Sequence, residues 1–218
     1  NRSIRSLYSN YYGYLTAVKN FDQHSFKFLI GSSVETYTTK NFRAYRDGFI
    51  FPEFRVLDAG LLDNQSASGN ASEWALQSTF TRLNYDFDSR YLIEFNVRRD
   101  GSSRFAEGHK YGIFPSVKGG WRVSSENFMK GSNKINNLMI RGSWGRLGNQ
   151  DIGTYPFAST LSLGSYSMGD QIVPIAALNE MNNELISWET SEMLDFGMDI
   201  MLWNRLTVKF DWYDKITS

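Results

Sequence analysis

The segment YLIEFNVR, residues 91–98, alternates in hydropathy from one position to the next. Three of its four even-numbered positions are polar, and its odd-numbered positions carry Tyr91, Ile93, Phe95 and Val97. Because successive side chains of a β-strand point to opposite faces, this alternation predicts a strand with one apolar and one polar face. The two faces of the sheet therefore meet different surroundings.

The same period of two recurs along the chain, and no long segment keeps an apolar face at helical spacing. It predicts eight strands, at 3–18, 25–37, 74–87, 90–100, 114–124, 137–147, 188–203 and 205–216. In the third strand the alternation changes parity between Phe80 and Leu83. Such a change predicts a β-bulge, in which one extra residue shifts the faces.

The predicted connections alternate between short and long, and the long ones are residues 38–73, 101–113 and 148–187. Antiparallel neighbours place successive connections at opposite ends of a sheet, so the long ones share one end. Several predicted strands reach the ~9 to 11 residues that a tilted strand needs to cross a bilayer. Long strands with short turns at one end and long loops at the other are typical of outer-membrane barrels.

Aromatic residues make up 16% of the chain, and several lie near predicted strand ends. In a membrane barrel they would form an interfacial girdle, whereas in a soluble protein they would fill a core. The residues concerned are Tyr8, Tyr11, Tyr12, Tyr14, Tyr85, Phe87, Tyr91 and Trp203.

Composition argues against several functional classes. Lys plus Arg and Asp plus Glu both number 23, so a basic surface for nucleic acid is not predicted. Cys is absent, and the two histidines, His24 and His109, lie far apart, so neither a metal site nor another cofactor is predicted. Ser102 and Ser103 have no His or other base nearby in sequence, and no catalytic carboxylate pair stands out. An enzyme is therefore not predicted.

An ordered set of motifs accompanies the opening segment: RRDGSSRF at 98–105, FPSV at 114–117, GWRVS at 120–124, ENFMK at 126–130, GNQ at 148–150, WET at 188–190 and GMD at 197–199. From about Ser78 to Lys215 the chain resembles the SusC/RagA family, the TonB-dependent outer-membrane transporters of Bacteroidetes. The signature positions of this resemblance are Asp100, Gly101, Ser102, Ser103, Arg104, Phe105, Phe114, Pro115, Ser116, Gly148, Asn149, Gln150, Trp188 and Glu189.

We predict a structural role at the barrel rim for these signature positions, in preference to contact with substrate. Asp100 and Gly101 suit a strand exit, since Asp bonds to its own backbone and Gly tolerates a positive φ, and Gly148 and Asn149 suit the next exit. Charged residues of the polar face would line a solute path or, more commonly, form bonds across strands or to an internal plug. They are Glu94, Arg98, Lys118, Arg122, Arg141, Asp195 and Asp199.

The resemblance implies an all-β fold, an antiparallel transmembrane barrel of roughly 22 strands. About eight strands cannot close it, so residues 1–218 are expected to be part of one TonB-dependent receptor β-barrel domain, with the plug domain and the closing strands absent. It further implies an integral, multi-pass protein of the outer membrane, in contact with its lipid, that actively transports a nutrient. The implied partners are a SusD-like surface lipoprotein, TonB acting through the absent plug segment, and a glycan or oligopeptide substrate.

Two other architectures remain open from the sequence. One is a soluble or surface-bound β-sandwich that binds carbohydrate through aromatics such as Trp74 and Tyr166, and the other is a small closed barrel of eight strands. In the transporter interpretation, loops 38–73 and 151–187 would contact the lipoprotein lid or the substrate, or would only pack against neighbouring loops.

Overall fold

The computed structural model describes residues 1–51, 53–54, 56–63, 65–129, 131–132, 134–180 and 182–218. Its strands are β1 (Arg2–Phe21), β2 (His24–Arg46), β3 (Gln65–Phe87), β4 (Tyr91–Ser102), β5 (Tyr111–Arg122), β6 (Ile135–Asn149), β7 (Thr160–Met168), β8 (Gln171–Glu180), β9 (Glu189–Leu202) and β10 (Leu206–Thr217). Short 3₁₀ helices lie at Leu57–Ala59, Val123–Ser125 and Asn127–Met129. Among the described residues, no helix has the length and apolarity to cross a membrane.

Eight of the strands form one antiparallel sheet, in the order β1-β2-β3-β4-β5-β6-β9-β10, and β7 and β8 form a separate hairpin between β6 and β9. The predicted all-β antiparallel fold and its eight strands are confirmed. In the described part of the chain, no second sheet packs against the first, so a β-sandwich is wrong. The outer edges of β1 and β10 pair with no described strand, so the small closed barrel is also wrong.

The connections fall at two different ends of the sheet, as predicted. Residues 22–23, 88–90, 123–134 and 203–205 form what we call the turn end, and residues 47–64, 103–110 and 150–188 form the loop end. Two of the tight turns have consecutive residues with left-handed backbones: Asp88 and Ser89, at φ 51° and 54°, and Trp203 and Asn204, both at 53°. Such pairs are typical of type I′ turns, whose twist suits antiparallel neighbours.

Two strands extend much further than the sequence predicted. Residues 38–46 and 65–73 are strand, because β2 continues to Arg46 and pairs in register with β3 from Gln65. The added part of β3 is rich in Ser, Ala and Asn and has no hydrophobic alternation. Backbone hydrogen bonds between paired strands do not depend on that alternation, so the hydropathy pattern does not reveal them. Residues 151–187 likewise contain the β7–β8 hairpin.

The bulge predicted between Phe80 and Leu83 is wrong. β3 pairs with β2 and with β4 without a register shift through this region. Phe80 lies on the polar face, where its ring covers Gly31; a Cβ on Gly31 would be 2.6 Å from the ring carbons. The parity change therefore arose from an apolar side chain on the polar face.

The two faces of the sheet differ as the alternation predicted, since cross-strand partners point to the same side. The apolar face carries Phe28, Leu83, Phe95, Val117, Trp144, Phe196 and Phe210. The polar face carries Lys27, Arg82, Glu94, Lys118, Arg141, Asp195, Asp199 and Asp211. Phe95 is half exposed in this single layer, and almost all burial concentrates near the loop end.

Candidate functional site

The most deeply buried side chains lie together at the loop end of β3, β4 and β5. We call this group the rim cluster; it consists of Ser78, Arg98, Asp100, Ser102, Ser103, Arg104, Phe105, Phe114 and Trp188. All of these residues except Ser78 and Arg98 are signature positions. The structure thus brings together residues that lie up to 110 positions apart in the sequence.

The centre of the rim cluster is aromatic. Phe105 is completely buried, and its ring centroid lies 5.1 Å from that of Trp188. Trp188 also meets Phe114 edge to face at 5.2 Å and donates its indole N–H to the Lys110 carbonyl at 3.1 Å. Aromatic pairs in these geometries stabilise beyond their buried area. The contacts join connection 103–110 to the residue that precedes β9.

The two serines of the cluster continue the strand pairing beyond the end of β4. Ser103 donates its backbone N–H to the Ala75 carbonyl and accepts the Ala75 N–H with its Oγ, both at 2.9 Å. Ser102 donates its N–H to the Lys110 carbonyl at 3.0 Å, and its Oγ accepts the Arg104 N–H at 3.1 Å. Buried backbone groups that would otherwise lack partners are thereby satisfied.

An ion pair between the partly exposed Arg98 and the buried Asp100 supports the cluster from the polar face. Arg98 donates its Nε to both oxygens of Asp100, at 2.7 and 2.8 Å, and its Nη2 to the Ser78 hydroxyl at 2.8 Å. Ser78 is completely buried, and Asp100 is 7% exposed. Loss of Arg98 would leave the buried Asp100 carboxylate uncompensated, whereas the partly exposed Arg98 could still be solvated without Asp100.

Arg104 connects the cluster to the longest loop. Its Nη1 donates to the carbonyls of Gln150, at 3.3 Å, and Ile152, and lies 3.5 Å from the Asp151 carboxylate. Its guanidinium also lies 5.3 Å from the Trp74 ring centroid, and only 14% of the side chain is exposed. One side chain thus ties connection 103–110 to the first residues of connection 150–188.

Asp100 and Gly101 do not form the predicted strand exit. Both lie within β4, which continues to Ser102, and Gly101 pairs with Tyr111. The φ of Gly101 is not positive; a Cβ there would instead collide with the Tyr111 ring. Glycine is needed at this position for a close approach, not for a turn.

Gly148 departs from the prediction in the same way, since it lies within β6 and a Cβ would collide with the Phe114 ring. Asn149 behaves as predicted: its Oδ1 accepts the Asp151 N–H at 2.9 Å, and its Nδ2 donates to Glu189 at 2.7 Å. An asparagine that bonds to the backbone two residues on is a common turn device.

The remaining signature positions surround these groups. Pro115 lies in β5 opposite Val97, on the apolar face, and Ser116 packs against Gly145, where an added Cβ would be 3.0 Å away. The side-chain Oε1 of Gln150 is buried without a hydrogen-bond partner. Lys130, the last residue of ENFMK, lies outside the described residues.

Some charges on the polar face bond to a neighbouring strand, as predicted, and others bond to a turn or within their own strand. Glu94 accepts from Asn84 at 2.5 Å and from Asn96 at 3.0 Å. Arg122 donates to the Ser89 carbonyl at 2.8 Å. Such cross-strand pairs stabilise a sheet by fractions of a kcal/mol up to about 1 kcal/mol each.

Arg141 of β6 is the centre of the largest charged group. It lies 3.6 Å from Asp195, 3.3 Å from Asp199 and in hydrogen-bond contact with Asp211, so it links β6 to β9 and β10. Gly197, its partner in the register, leaves room for the guanidinium: a Cβ on Gly197 would be 2.5 Å from Cζ of Arg141.

Gly197→Ala is therefore expected to displace the Arg141 guanidinium from its aspartates and to destabilise the protein by about 1 kcal/mol, the scale of partly exposed ion pairs. The measurement is the midpoint of urea unfolding of the complete protein in detergent micelles. Gly119→Ala is the matched control, because nothing lies within 4 Å of the added Cβ. Equal midpoints for both variants would contradict this account.

An aromatic belt lies on the apolar face at the turn end. Successive ring centroids are 4.7–6.2 Å apart. The belt consists of Phe21, His24, Phe26, Tyr85, Phe87 and Tyr91, and three of these were predicted. Amphipathic rings at one level of a sheet are typical of a membrane interface.

The other predicted girdle residues are placed differently. Tyr8, Tyr12 and Tyr14 lie in the middle of β1 on the polar face, and Tyr11 lies on the apolar face. Trp203 lies in a turn. The hydroxyl of Tyr8 donates to Glu35 at 3.0 Å.

The loop end presents the β7–β8 hairpin, whose large apolar side chains are exposed: Leu163 is 85% exposed and Ile172 is 79% exposed. At the loop end of β2, Tyr45 donates its hydroxyl to Asp47 at 3.1 Å. Within the described part of the chain, no group of three or more His, Asp or Glu side chains is arranged to hold a metal ion.

Comparison with known proteins identifies the architecture. A family model described as "TonB dependent receptor-like, beta-barrel" matches residues 1–218. The TonB-dependent receptor P3 of Formosa agariphila is 37% identical over 203 residues, covering 92% of this chain and 20% of that protein. The TonB-dependent receptor SusC of Bacteroides thetaiotaomicron is 29% identical over 211 residues, covering 94% of this chain and 20% of that protein.

A solved structure described as the RagAB peptide transporter superposes with a TM-score of 0.91 at 27% identity, covering 99% of this chain and 24% of that chain. The same importer in its open-open state superposes with a TM-score of 0.89. The chain spans about a fifth of the length of the curated relatives it matches.

Proposed function

The chain belongs to the TonB dependent receptor-like β-barrel family, and we propose that it forms about eight strands of the wall of a SusC-like outer-membrane transporter. In this proposal residues 1–218 are part of one barrel domain, and the plug and the closing strands are supplied by other parts of a longer polypeptide. The apolar face contacts outer-membrane lipid, and the polar face lines the lumen.

The observation that carries the proposal is the chemical contrast between the two faces across the eight-stranded sheet. An exposed aromatic and aliphatic face costs free energy in water, and no described element covers it. The unpaired edges of β1 and β10 would likewise be unfavourable in lipid unless further strands continue the sheet. A closed barrel in a bilayer satisfies both requirements.

The proposed substrate is a nutrient glycan or oligopeptide that passes the polar face. The RagAB relatives are a peptide transporter and a peptide importer, which supports the oligopeptide alternative. Loops at the loop end, including the β7–β8 hairpin, would contact the substrate or a SusD-like surface lipoprotein. TonB would supply the energy by acting on the plug segment. No catalytic step is proposed.

The wall orientation is tested by placing a charge on each face. Phe95→Arg puts a cation on the apolar face and is expected to destabilise the barrel by about 2–4 kcal/mol, the cost of a charge near the bilayer midplane. Leu92→Arg, three residues earlier in β4, puts the same cation on the polar face opposite Asp86 and is the matched control. The measurement is the fraction of complete protein in outer-membrane vesicles that shows heat-modifiable gel mobility.

Equal folded fractions for the two variants would overturn the proposed orientation. Transport is measured in the same strains as uptake of labelled oligopeptides and oligosaccharides, with and without TonB. We expect uptake to require TonB, and the Leu92→Arg protein to fold as well as the unsubstituted protein. Uptake of both substrate classes that persists without TonB would contradict active transport.

A further inference from the structure

The polar face contains a groove of about 470 Å³ halfway along the sheet, between β2 and β6. Its lining combines apolar and basic side chains: Leu29, Phe80, Arg82, Asn96, Arg98 and Phe114. In the wall proposed above, this groove opens into the lumen. Polar and apolar groups that converge in a concave site are the usual features of a ligand-binding site.

Three arginines line the groove, and they differ in their partners: Arg146 forms an ion pair with Glu192. Arg98 is held by Asp100 and Ser78 in the rim cluster. Arg82 donates its Nε to Asn96 at 2.6 Å, and within the described part of the chain no carboxylate lies within ion-pair distance of it. Its terminal Nη groups therefore remain free to bind an anion.

The nearest acidic side chain is already engaged. Glu94 accepts from Asn84 with one oxygen and from Asn96 with the other, and it lies opposite Lys118 in the register of β4 and β5. Glu94 thus lies in the field of two cations, Arg82 and Lys118, and forms no direct ion pair with Arg82, so one carboxylate does not fully compensate the positive charge at the groove. A guanidinium forms two parallel hydrogen bonds with a carboxylate and binds it more strongly than a neutral group would.

The apolar part of the groove lies beside this cation. Phe80 is held over Gly31, and the Phe114 ring is held against Gly112 and Gly148, so both rings are fixed by their backbone surroundings. Rigid rings next to a cation favour a ligand that combines a negative group with an apolar body, because the rings exclude water from the charged contact.

We propose that this groove binds a carboxylate-bearing segment of the transported substrate, with Arg82 holding the carboxylate and Phe80, Phe114 and Leu29 contacting the adjoining apolar part. The inference rests on the proposed transport function. A carboxylate is available from the C-terminus of an oligopeptide and from an acidic sugar, and the experiment below separates these two sources.

The test measures probe affinities by isothermal titration calorimetry on the complete protein in detergent. The probes are a neutral-sequence pentapeptide with a free C-terminus, its C-terminal amide, an oligoglucuronate and a neutral oligoglucose of equal length. Arg82→Gln is expected to weaken the responding carboxylate probe about 10- to 100-fold, the loss typical of a charge-assisted hydrogen-bond pair. Arg82→Lys retains the positive charge but lacks the planar guanidinium, so it should weaken binding of that probe less than Arg82→Gln does.

Arg43→Gln is the matched control, because Arg43 lies on the polar face of β2, is exposed and is 14 positions from Leu29. A response of the peptide acid alone identifies an oligopeptide, and a response of the glucuronate alone identifies an acidic glycan. The proposal is overturned if neither carboxylate probe binds the unsubstituted protein, if Arg82→Gln weakens acid and neutral probes equally, or if it changes only the unfolding midpoint. TonB-dependent uptake of a neutral nutrient in any of these cases would leave the proposed function intact.

Discussion

Phe105→Ala is expected to have the largest effect on stability of any single substitution in this chain, about 3–5 kcal/mol. Phe105 is completely buried, and its ring packs on Trp188 at the centre of the rim cluster. Removing the ring leaves a cavity and also releases Trp188 from one of its two aromatic contacts. Because connection 103–110 and the residues before β9 meet here, the loop end should unfold first.

This effect is measured as the urea midpoint and the denaturant slope of the complete protein in detergent micelles. Phe128→Ala removes the same ring from a position that is 72% exposed. It is expected to change the free energy of unfolding by less than about 0.5 kcal/mol. Similar midpoints for Phe105→Ala and Phe128→Ala would show that the rim cluster does not contribute to stability. Phe105→Leu, which refills most of the cavity, should recover a large part of the loss.

Arg104→Gln is expected to release the first residues of connection 150–188 from the sheet. The substitution removes the charge that contacts Asp151 and the donor that serves the carbonyls of Gln150 and Ile152. Loss of charge-assisted hydrogen bonds of this kind costs roughly 1.5–3 kcal/mol. If that cost falls on local opening, the loop opens about 10- to 100-fold more often.

Limited proteolysis of the complete protein, followed by mass spectrometry, reports this opening as cleavage between residues 153 and 188. Arg205→Gln is the control, since Arg205 lies in a turn at the opposite end of the sheet. Arg104→Lys preserves the charge but cannot serve two carbonyls with a planar fork, so intermediate cleavage is expected. Cleavage at the same rate in all three variants would show that Arg104 does not hold the loop.

Strand prediction from the sequence succeeded where one face of a strand is apolar and failed elsewhere. The inner half of β3 was recognised, whereas its outer half, from Gln65 to about Glu73, was taken for a loop. In that part the pairing with β2 is maintained by backbone hydrogen bonds, which do not require alternating hydropathy of the side chains. Phe80 caused the opposite error. Its apolar ring lies on the polar face above Gly31, and in the sequence this looked like the change of face that a bulge produces.

The site was predicted in outline and corrected in its details. The signature residues cluster at the loop end, but Gly101 and Gly148 serve close approaches of Tyr111 and Phe114 and not strand exits. Ser78 and Trp74 were not predicted as members or neighbours of the cluster, although Trp74 lies beneath Arg104. The unpaired cation at Arg82 also had no signal in the sequence, because its isolation depends on how Glu94 is bonded.

The sequence by itself determined the class of strand, the two chemically different faces and the division into a turn end and a loop end. These features depend on neighbours one or two positions apart, so a linear pattern is sufficient to reveal them. Only the tertiary structure decided that Trp188 meets Phe105 and bonds to Lys110, 78 positions away, and that Arg104 reaches Gln150, 46 positions away. Such contacts depend on strand register and on the course of the long connections, and both are set by many simultaneous backbone pairings that no local pattern encodes.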